Sequence, residues 1–191
     1  MSPHIALREA GLAFDLVMAS TKTHKLEDGT DYYTINPKGS VPLLELDNGE
    51  RLSEGPAIVQ YIADQVPTKN LAPANGTMAR YRLQEWLNFI TSEIHKGFGA
   101  LFNPATPAEY KAMASAKLLS RLEWVNSQLE GKQYLMGDTF TVADPYLFTT
   151  ASWTKPLGMD ISHLSHLTAF LGRVATRPAV VAALKAEGLI K

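Results

Sequence analysis

The 191-residue chain is 46% hydrophobic and 19% charged, enough apolar sequence to form one domain, or two small domains that share an interface. Its 18 basic and 19 acidic side chains leave a net charge of −1, so no global field favours nucleic acid or an anionic membrane as a partner. Cysteine is absent from the sequence, which excludes disulfides, thiolate metal sites and a cysteine nucleophile within it.

The first elements predicted along the chain are a helix and a strand. Residues 4–10 have the pattern of the later turns of a helix, and Gly11 follows in the position where a glycine commonly ends one. Residues 14–18 form a mostly apolar run of strand length. We therefore expect a helix followed by a largely buried strand.

A β-hairpin and a second helix are predicted next. Residues 41–46 and 50–52 flank an Asn-Gly pair, which is a strong signal for a tight hairpin turn. Ser53 is predicted to cap a helix that runs to about Val66 and stops at Pro67.

The rest of the chain has helical patterns almost throughout. Apolar side chains at helical spacing predict one long helix with a single buried stripe, formed by Leu83, Trp86, Leu87, Ile90, Ile94 and Phe98. Residues 106–109 have the composition of a capping box, which predicts a second long helix to about Leu129. Residues 141–144 predict another capped, buried helix, and Pro178 opens a last short one.

These patterns divide the chain into two parts. Residues 67–76 are rich in proline, asparagine and glycine, a composition typical of linkers. We predict an α+β domain at residues 1–66, a linker at 67–76 and an all-helical domain at 77–191. No apolar run reaches the roughly 18 residues of a membrane span, and no secretion signal precedes the first helix, so we expect a cytoplasmic protein without a membrane partner.

Common catalytic and metal-binding motifs are missing. The sequence contains no zinc-ligand spacing, phosphate-binding loop, dinucleotide fingerprint or Gly-x-Ser-x-Gly elbow. The one close histidine pair, His163 and His166, has no further ligand nearby and is better explained as a solvated helix start. We therefore predict no metal site.

Two places could bind a small molecule. At the first, a loop enters a strand through the Val41-Pro42 bond; if that bond is cis, the N–H and C=O of Val41 face outward and can pair with an extended peptide. The alternative is an ordinary trans strand start. The second is the helix start at Ser53, Glu54 and Gly55, where first-turn N–H groups favour a carboxylate and Glu54 can accept from an ammonium. A simple N-cap with a dipole-compensating glutamate is the alternative there.

The order of elements and five motifs resemble the cytosolic glutathione transferases, and specifically their bacterial beta class. These motifs are residues 36–42, 52–61, 85–89, 93–98 and 140–144, and the likeness extends from Ser2 to Lys191. The resemblance implies a thioredoxin-like domain that binds glutathione, an all-α domain that supplies a pocket for a hydrophobic electrophile, a homodimer, and conjugation of the two substrates for detoxification.

The resemblance also implies which residues bind glutathione in the first domain. Val41, which precedes the family's cis Pro42, would pair through its backbone with the cysteinyl part, and Glu54 and Gly55 would receive the γ-glutamyl end. The loop position that normally reaches the glycine end corresponds to His24.

Lysines flank that loop position, and helical residues complete the predicted site. Lys22 and Lys25 are alternatives to His24 for the glycine end. Asn88, His95 and Lys96 would line the cleft, with His95 beside the glutathione sulfur.

The front of the sequence departs from the family pattern. Family members begin with a β-strand and a turn that carries the beta-class cysteine, whereas this sequence begins within the helix that follows. We therefore expect residues 14–18 to lack their strand neighbour. Without a cysteine, the chain cannot carry out thiol exchange, and we expect conjugation of glutathione to be weakened rather than abolished. A misassigned start, a natural truncation and strand pairing across a dimer are three open explanations.

The function has one competing interpretation. A complete set of ligand-contact positions favours the enzyme, whereas the missing strand and cysteine favour a non-catalytic ligand-binding or protein-interaction member of the same fold. The electrophile cannot be named from the sequence, because apolar positions such as Phe98, Phe102, Tyr110 and Trp153 are as compatible with a core as with a pocket.

Overall fold

The computed structural model describes residues 1–191 and begins with a small mixed layer. Its elements are α1 (Ser2–Ala10), β1 (Leu43–Glu45), β2 (Arg51–Ser53) and α2 (Gly55–Gln65), with a 3₁₀ turn at Tyr32–Thr34. The helical part follows and consists of α3 (Met78–Phe89), α4 (Gly99–Phe102), α5 (Ala108–Gln128), α6 (Ala143–Ala151), α7 (Ser165–Ala175) and α8 (Pro178–Ala186). No single helix has the length and hydropathy of a membrane-spanning segment.

The predicted C-terminal end of α1 and the predicted start of α8 are both confirmed. Gly11 has φ 73° and ψ 22°, a left-handed conformation that glycine adopts without a Cβ clash, and its N–H closes the last turn of α1. Pro178 occupies the first turn of α8, where a missing backbone N–H costs nothing.

The predicted strand at residues 14–18 is wrong. These residues join no sheet, and Leu16, Val17 and Met18 are exposed by 53%, 72% and 64%. The physical reason is that no other strand in the chain lies beside them to bond their backbone groups. This agrees with the expectation that the segment lacks a strand neighbour.

The predicted hairpin is confirmed, with shorter strands. β1 and β2 pair antiparallel, with Leu44 opposite Leu52, and both side chains pack against the core. Gly49, with φ 83°, donates its N–H to the carbonyl of Leu46 and closes the turn. This register brings the end of β2 directly to the start of α2.

Two of the three predicted helix caps are wrong. Ser53 does not cap α2, because Glu54 precedes the first helical residue and the Ser53 hydroxyl accepts a hydrogen bond from Lys38. The capping box at residues 106–109 does not form, because α5 begins at Ala108, one residue later than the box requires.

The third cap, at the start of α6, is confirmed only in the bond made by Asp144, because Val142 directly precedes the helix and no side chain caps its N–H groups. The carboxylate of Asp144 accepts the N–H of Thr141 at 2.7 Å and the N–H of Leu135 at 2.9 Å, within a fully buried environment. Burial raises the pKa of Asp144 to about 7, while these hydrogen bonds oppose the rise.

The long helix predicted from the apolar stripe is interrupted. A π-helical segment, Ile90–His95, follows α3, and a 3₁₀ turn, Lys96–Phe98, follows that segment. Ile90, Ile94 and Phe98 are four residues apart and all fully buried, which a turn wider than 3.6 residues accommodates on one face. Apolar residues at α-helical spacing in the sequence do not show that the helix changes from α to π at Ile90.

One core of buried apolar side chains connects the two parts of the chain. It includes Ile5, Ile58 and Ile62 from the first part and Leu87 and Phe170 from the helical part. The two parts therefore share an interface. The predicted boundaries at residues 66 and 77 stay a prediction.

An ion pair with a buried guanidinium and an exposed carboxylate joins α2 to α3, and we call this pair, Asp64 and Arg80, the clamp. The guanidinium of Arg80 donates to both carboxylate oxygens of Asp64, at 2.8 and 2.7 Å, and also to the carbonyl of Pro73 at 3.1 Å. The Arg80 side chain is only 4% exposed, whereas that of Asp64 is 37% exposed. The hydrogen bonds from Arg80 hold the pKa of Asp64 below its ordinary value.

The two ends of the clamp are expected to respond unequally to mutation. Asp64→Ala leaves a buried guanidinium without its anion, and we expect it to lower the free energy of unfolding by about 3 kcal/mol. Arg80→Met leaves a carboxylate that water can reach, so we expect a loss of only about 1 kcal/mol. Urea unfolding of the purified variants measures both values.

A surface pair on the same helix provides the control. Arg82 donates to Glu85 at 2.8 Å with both side chains more than 60% exposed, so Arg82→Ala should change stability by no more than about 0.5 kcal/mol. Equal losses for Asp64→Ala and Arg80→Met would contradict the asymmetry of burial on which the prediction depends.

Candidate active site

Three of the predicted residues, together with Lys38, form a surface that we call the loop wall: Lys38, Val41, Pro42 and Glu54. The Val41-Pro42 peptide bond is cis, as the family resemblance implied. Val41 is 44% exposed, and its backbone N–H and C=O make no hydrogen bond within the protein. Both groups are therefore available to an extended ligand.

Hydrogen bonds on the preceding loop hold this part of the loop wall in place. The side chains of Tyr32 and Asn36 both donate to the carbonyl of Ser40, at 3.0 and 2.7 Å. A Cβ at Gly55 would lie 4.0 Å from the ring of Pro42, so Pro42 is adjacent to the start of α2. The segment that contains Val41 and Pro42 is thus in contact with the segment that contains Glu54 and Gly55.

Glu54 has an unusual backbone for its residue type. Its φ of 72° and ψ of 111° fall in a region that side chains with a Cβ rarely adopt. Such outliers persist only where the surrounding structure holds them, and they are concentrated at functional sites. The carboxylate is exposed, and it lies at the N-terminus of α2. The N–H of Gly55 has no hydrogen-bond partner there, whereas Pro56 has no N–H and that of Ala57 donates to the carbonyl of Glu54.

Lys38 is a residue of the loop wall that the sequence analysis did not select. Its ammonium donates to Glu54 at 2.7 Å and to the hydroxyl of Ser53 at 2.8 Å. The signal was present, because Lys38 belongs to the motif at residues 36–42. Lys38 and Glu54 are 16 residues apart in the chain, so their contact cannot be predicted from a local pattern.

The predicted glycine-end residues lie in the loop before the loop wall. His24 stacks on Tyr33 with ring centroids 4.6 Å apart, and a Cβ at Gly39 would approach its Nδ1 to 3.1 Å. That Nδ1 is buried and has no hydrogen-bond partner. Lys22 and Lys25 are exposed. His24 is therefore next to the loop wall, and its ring is partly buried by Tyr33.

The second set of residues forms what we call the helix wall: Asn88, His95, Lys96, Tyr146 and Trp153. The Nδ1 of His95 is 2.8 Å from the hydroxyl of Tyr146, which is also 3.2 Å from the hydroxyl of Thr91. The ring of His95 packs edge-on against Trp153, with centroids 4.9 Å apart. His95 itself remains solvent-exposed, so one edge of the ring is held and the other is accessible.

The surroundings of His95 and Tyr146 favour the neutral forms of these two side chains. Burial lowers the pKa of His95 below its ordinary value of 6.5, so the imidazole is uncharged at pH 7. Burial raises the pKa of Tyr146, and the negative charge of Glu54 adds to that rise. The carboxylate of Glu54 is therefore near enough to the Tyr146 hydroxyl to affect its pKa.

The side chains of Asn88 and Lys96 are held by fewer contacts than that of His95. Both are exposed, and neither side chain makes a hydrogen bond within the protein. Asn88 and His95 are seven residues apart, which in a regular α-helix is two turns and would place both on one face. The π segment Ile90–His95 lies between them and shifts the angular position of His95, so a prediction based on regular helix spacing is wrong here.

The aromatic positions named for the electrophile separate into different environments. Phe98 is fully buried and belongs to the core. Trp153 contacts Phe98, Phe102 and His95 with centroids 5.5, 5.6 and 4.9 Å away, so Phe102, which is 48% exposed, continues the surface beside His95. Tyr110 is exposed on α5 and is not part of this cluster. No group of three metal-ligating side chains is present.

Comparisons with known proteins give the family. The model for the glutathione S-transferase N-terminal domain matches residues 2–65, and that for the C-terminal domain matches residues 89–178. The chain belongs to the glutathione S-transferase family. Glutathione S-transferase GstA from Escherichia coli O157:H7 is 46% identical over 189 residues, covering 99% of this chain and 94% of that protein.

Solved structures agree with this result. BphK, a bacterial glutathione S-transferase, is 55% identical with a TM-score of 0.96, over 98% of this chain and 94% of its own. A sphingomonad glutathione S-transferase complexed with glutathione is 48% identical with a TM-score of 0.95, over 99% and 94%. A beta-class enzyme from Sphingomonas chungbukensis is 49% identical with the same TM-score and the same coverage.

These findings confirm the predicted family, its beta-class character and its fold class, a thioredoxin-like domain followed by an all-α domain. They also confirm the prediction of a transferase that uses glutathione as co-substrate. No finding favours the non-catalytic alternative. The roles of individual site residues stay predictions.

The backbone of Glu54 provides a test that separates stability from binding. Glu54→Gly removes the Cβ that makes a φ of 72° unfavourable, so we expect the free energy of unfolding to be unchanged or raised by up to about 1 kcal/mol. The same variant removes the exposed carboxylate, so glutathione affinity should fall at least about tenfold. Urea unfolding and isothermal titration measure the two effects.

Glu54→Gln is the matched variant, because it keeps the Cβ and removes only the charge. We expect it to lose affinity without gaining stability. If Glu54→Gly lowered stability while leaving glutathione affinity intact, Glu54 would be a structural residue and its place in the loop wall would be wrong.

Proposed function

We propose that this chain conjugates glutathione to hydrophobic electrophiles in a cleft between the loop wall and the helix wall. The observation that carries the proposal is the position of Glu54. Its strained backbone at the start of α2 exposes the carboxylate, whose charge reaches the Tyr146 hydroxyl bound to His95. The carboxylate of Glu54, which would bind the ligand, and the neutral imidazole of His95 therefore belong to one site.

The γ-glutamyl end of glutathione fits the start of α2. Its ammonium is a partner for the carboxylate of Glu54, and its carboxylate is a partner for the one unpaired N–H of the first turn, that of Gly55, at the positive end of the α2 dipole. Lys38 donates to Glu54 at 2.7 Å, so a cation already lies beside this carboxylate and is a second partner for the ligand's carboxylate.

The loop wall also determines where the cysteinyl and glycine parts of glutathione bind. The cysteinyl backbone pairs with the free N–H and C=O of Val41, beside Pro42. This pairing directs the glycine end towards the loop of His24, where Lys22 and Lys25 are exposed cations for its carboxylate. Asn88 and Lys96, which have no partners within the chain, line the cleft from the helix wall.

The chemistry requires the thiol of glutathione to lose its proton. A free thiol has a pKa of about 8.5, so an acceptor is needed at neutral pH. The proton moves to His95, the sulfur electron pair forms a bond to the electrophilic carbon, and a leaving group departs with its bonding pair. Where the reaction is an addition, the imidazolium returns the proton to the product.

The electrophile is placed beside His95 by the aromatic surface. Trp153 contacts His95 on one side and Phe102 on the other, and Phe102 is half exposed. Flat apolar molecules stack favourably on such rings. The cytosol keeps glutathione reduced, so a cytoplasmic location suits this reaction.

Homodimerisation is a further part of the proposal, and an exposed face of α3 supports it. Met78 and Tyr81 are 70% and 57% exposed, and Glu85 and Asn88 follow them on the same helix face at spacings of four and three residues. Large apolar side chains on one unpartnered face are typical of protein interfaces. The partner would cover this face and approach Asn88.

His95→Ala is expected to lower kcat about a hundredfold while changing the glutathione dissociation constant less than about twofold, because the imidazole accepts a proton rather than anchoring the tripeptide. Steady-state kinetics with a chlorinated nitroarene and isothermal titration of glutathione measure the two quantities. The control is His163→Ala, an exposed histidine outside both walls. A raised Michaelis constant with unchanged kcat would show that His95 is not the base.

Tyr81→Glu is expected to convert a dimer to a monomer, because it replaces one of the two exposed apolar side chains on this face of α3 with a charge. Light scattering coupled to gel filtration measures the change in mass. Tyr110→Glu is the matched control, since Tyr110 is 58% exposed on α5 and lies off this face. Loss of the dimer in both variants, or in neither, would rule out this face as the interface.

A further inference from the structure

A chain of hydrogen bonds connects His95 to the backbone of α3. The Nδ1 of His95 is 2.8 Å from the hydroxyl of Tyr146, and that hydroxyl is 3.2 Å from the hydroxyl of Thr91. The Thr91 hydroxyl in turn donates to the carbonyl of Leu87 at 2.8 Å. Tyr146 is only 4% exposed.

The carbonyl of Leu87 sets the direction of this chain. A carbonyl accepts hydrogen bonds and cannot donate, so the single hydroxyl proton of Thr91 is used on Leu87. Thr91 can then only accept from Tyr146, which uses the single proton of the Tyr146 hydroxyl. The remaining contact, between Tyr146 and His95, is satisfied when Nδ1 of His95 carries the proton and donates.

We propose that Tyr146 and Thr91 are positioning residues that hold neutral His95 as its Nδ1–H tautomer, with the lone pair on Nε2 free to take the thiol proton of glutathione. This inference rests on the proposed function in one respect, namely that His95 is the base. The assignment of the proton to Nδ1 stands on the hydrogen-bond geometry alone.

The surroundings of the two side chains agree with this arrangement. Burial raises the pKa of Tyr146, so its hydroxyl keeps the proton that it donates to Thr91. Edge-on packing against Trp153 keeps the His95 ring from rotating away from Tyr146. When Nε2 takes a proton, Nδ1–H still donates to Tyr146, so no hydrogen bond in the chain has to reverse during the reaction.

The charged groups near His95 come from two sides. Glu54 of the loop wall is the acidic group whose charge reaches Tyr146, and Lys96 is the neighbouring cation on the helix wall. Glu93, on the same π segment as His95, is paired with Arg121 at 2.7 Å. The tautomer therefore depends on the hydroxyl chain rather than on a carboxylate bonded to Nδ1.

Nitrogen-15 NMR of the histidine rings tests the assignment without any activity measurement. In the wild-type chain, with His95 assigned by its absence in His95→Ala, we expect the neutral ring to be protonated at Nδ1. Thr91→Val removes the acceptor for the Tyr146 proton, which can then be donated to Nδ1 of His95. We expect this variant to shift the ring to the Nε2–H tautomer, and Thr91→Ser to restore the wild-type state.

Kinetics should follow the tautomer. We expect Thr91→Val and Tyr146→Phe to lower kcat about tenfold, with the glutathione dissociation constant unchanged within about twofold. Tyr134→Phe is the matched control, because it also removes a buried tyrosine hydroxyl, one that binds Arg177 at 3.1 Å away from both walls. It should leave both the His95 tautomer and kcat unchanged.

The outcomes distinguish the two proposals. An Nε2–H ring in the wild-type chain overturns the inference, as does an unchanged tautomer in Thr91→Val. If His95→Ala lowers kcat but Tyr146→Phe and Thr91→Val do not, His95 is the base and these two residues do not position it. If His95→Ala has no effect, the proposed role of His95 fails while the NMR result still decides the tautomer. Should Tyr146→Phe fail to fold, the wild-type ring and Thr91→Val give the answer.

Discussion

The clamp between Asp64 and Arg80 is the interaction on which the geometry of the site depends. Asp64 is near the end of α2 and Glu54 directly precedes its start, about 15 Å away at the rise of an α-helix. Arg80 is in the first turn of α3, and the chain continues from there into the segment that carries His95. A bidentate contact with a nearly buried guanidinium therefore links the helix that follows Glu54 to the helix that leads to His95.

Both walls contain a local departure from regular structure, and each departure has an identifiable support. Glu54 adopts an unfavourable backbone conformation between a three-residue strand and α2, where Pro42 of the neighbouring loop lies beside the adjacent residue, Gly55. His95 ends a π segment whose wider turn is compatible with the burial of Ile90 and Ile94. Irregular backbone is tolerated where packing on either side restricts the alternatives.

Local signals in the sequence predicted most of the elements, and long-range contacts account for most of what was missed. The hairpin, the end of α1 and the cap at Asp144 depend on residues close together in the chain, and all three were predicted. Lys38 and Tyr146 were missed because their partners are 16 and 51 residues away. The strand at residues 14–18 was wrong for a related reason, since a strand requires a neighbour that a local apolar run cannot guarantee.

The hydroxyl chain behind His95 explains how a neutral histidine can serve a site without a carboxylate beside it. A carboxylate bonded to Nδ1 would also select the Nδ1–H tautomer, but its charge would raise the histidine pKa and favour the imidazolium before the thiol arrives. Two hydroxyls and a helix carbonyl select the same tautomer with no net charge. Burial then keeps the pKa of His95 low, so the lone pair of Nε2 is present at neutral pH. Orientation and protonation state are thus set by separate features, the first by Tyr146 and Thr91 and the second by the apolar surroundings of the ring.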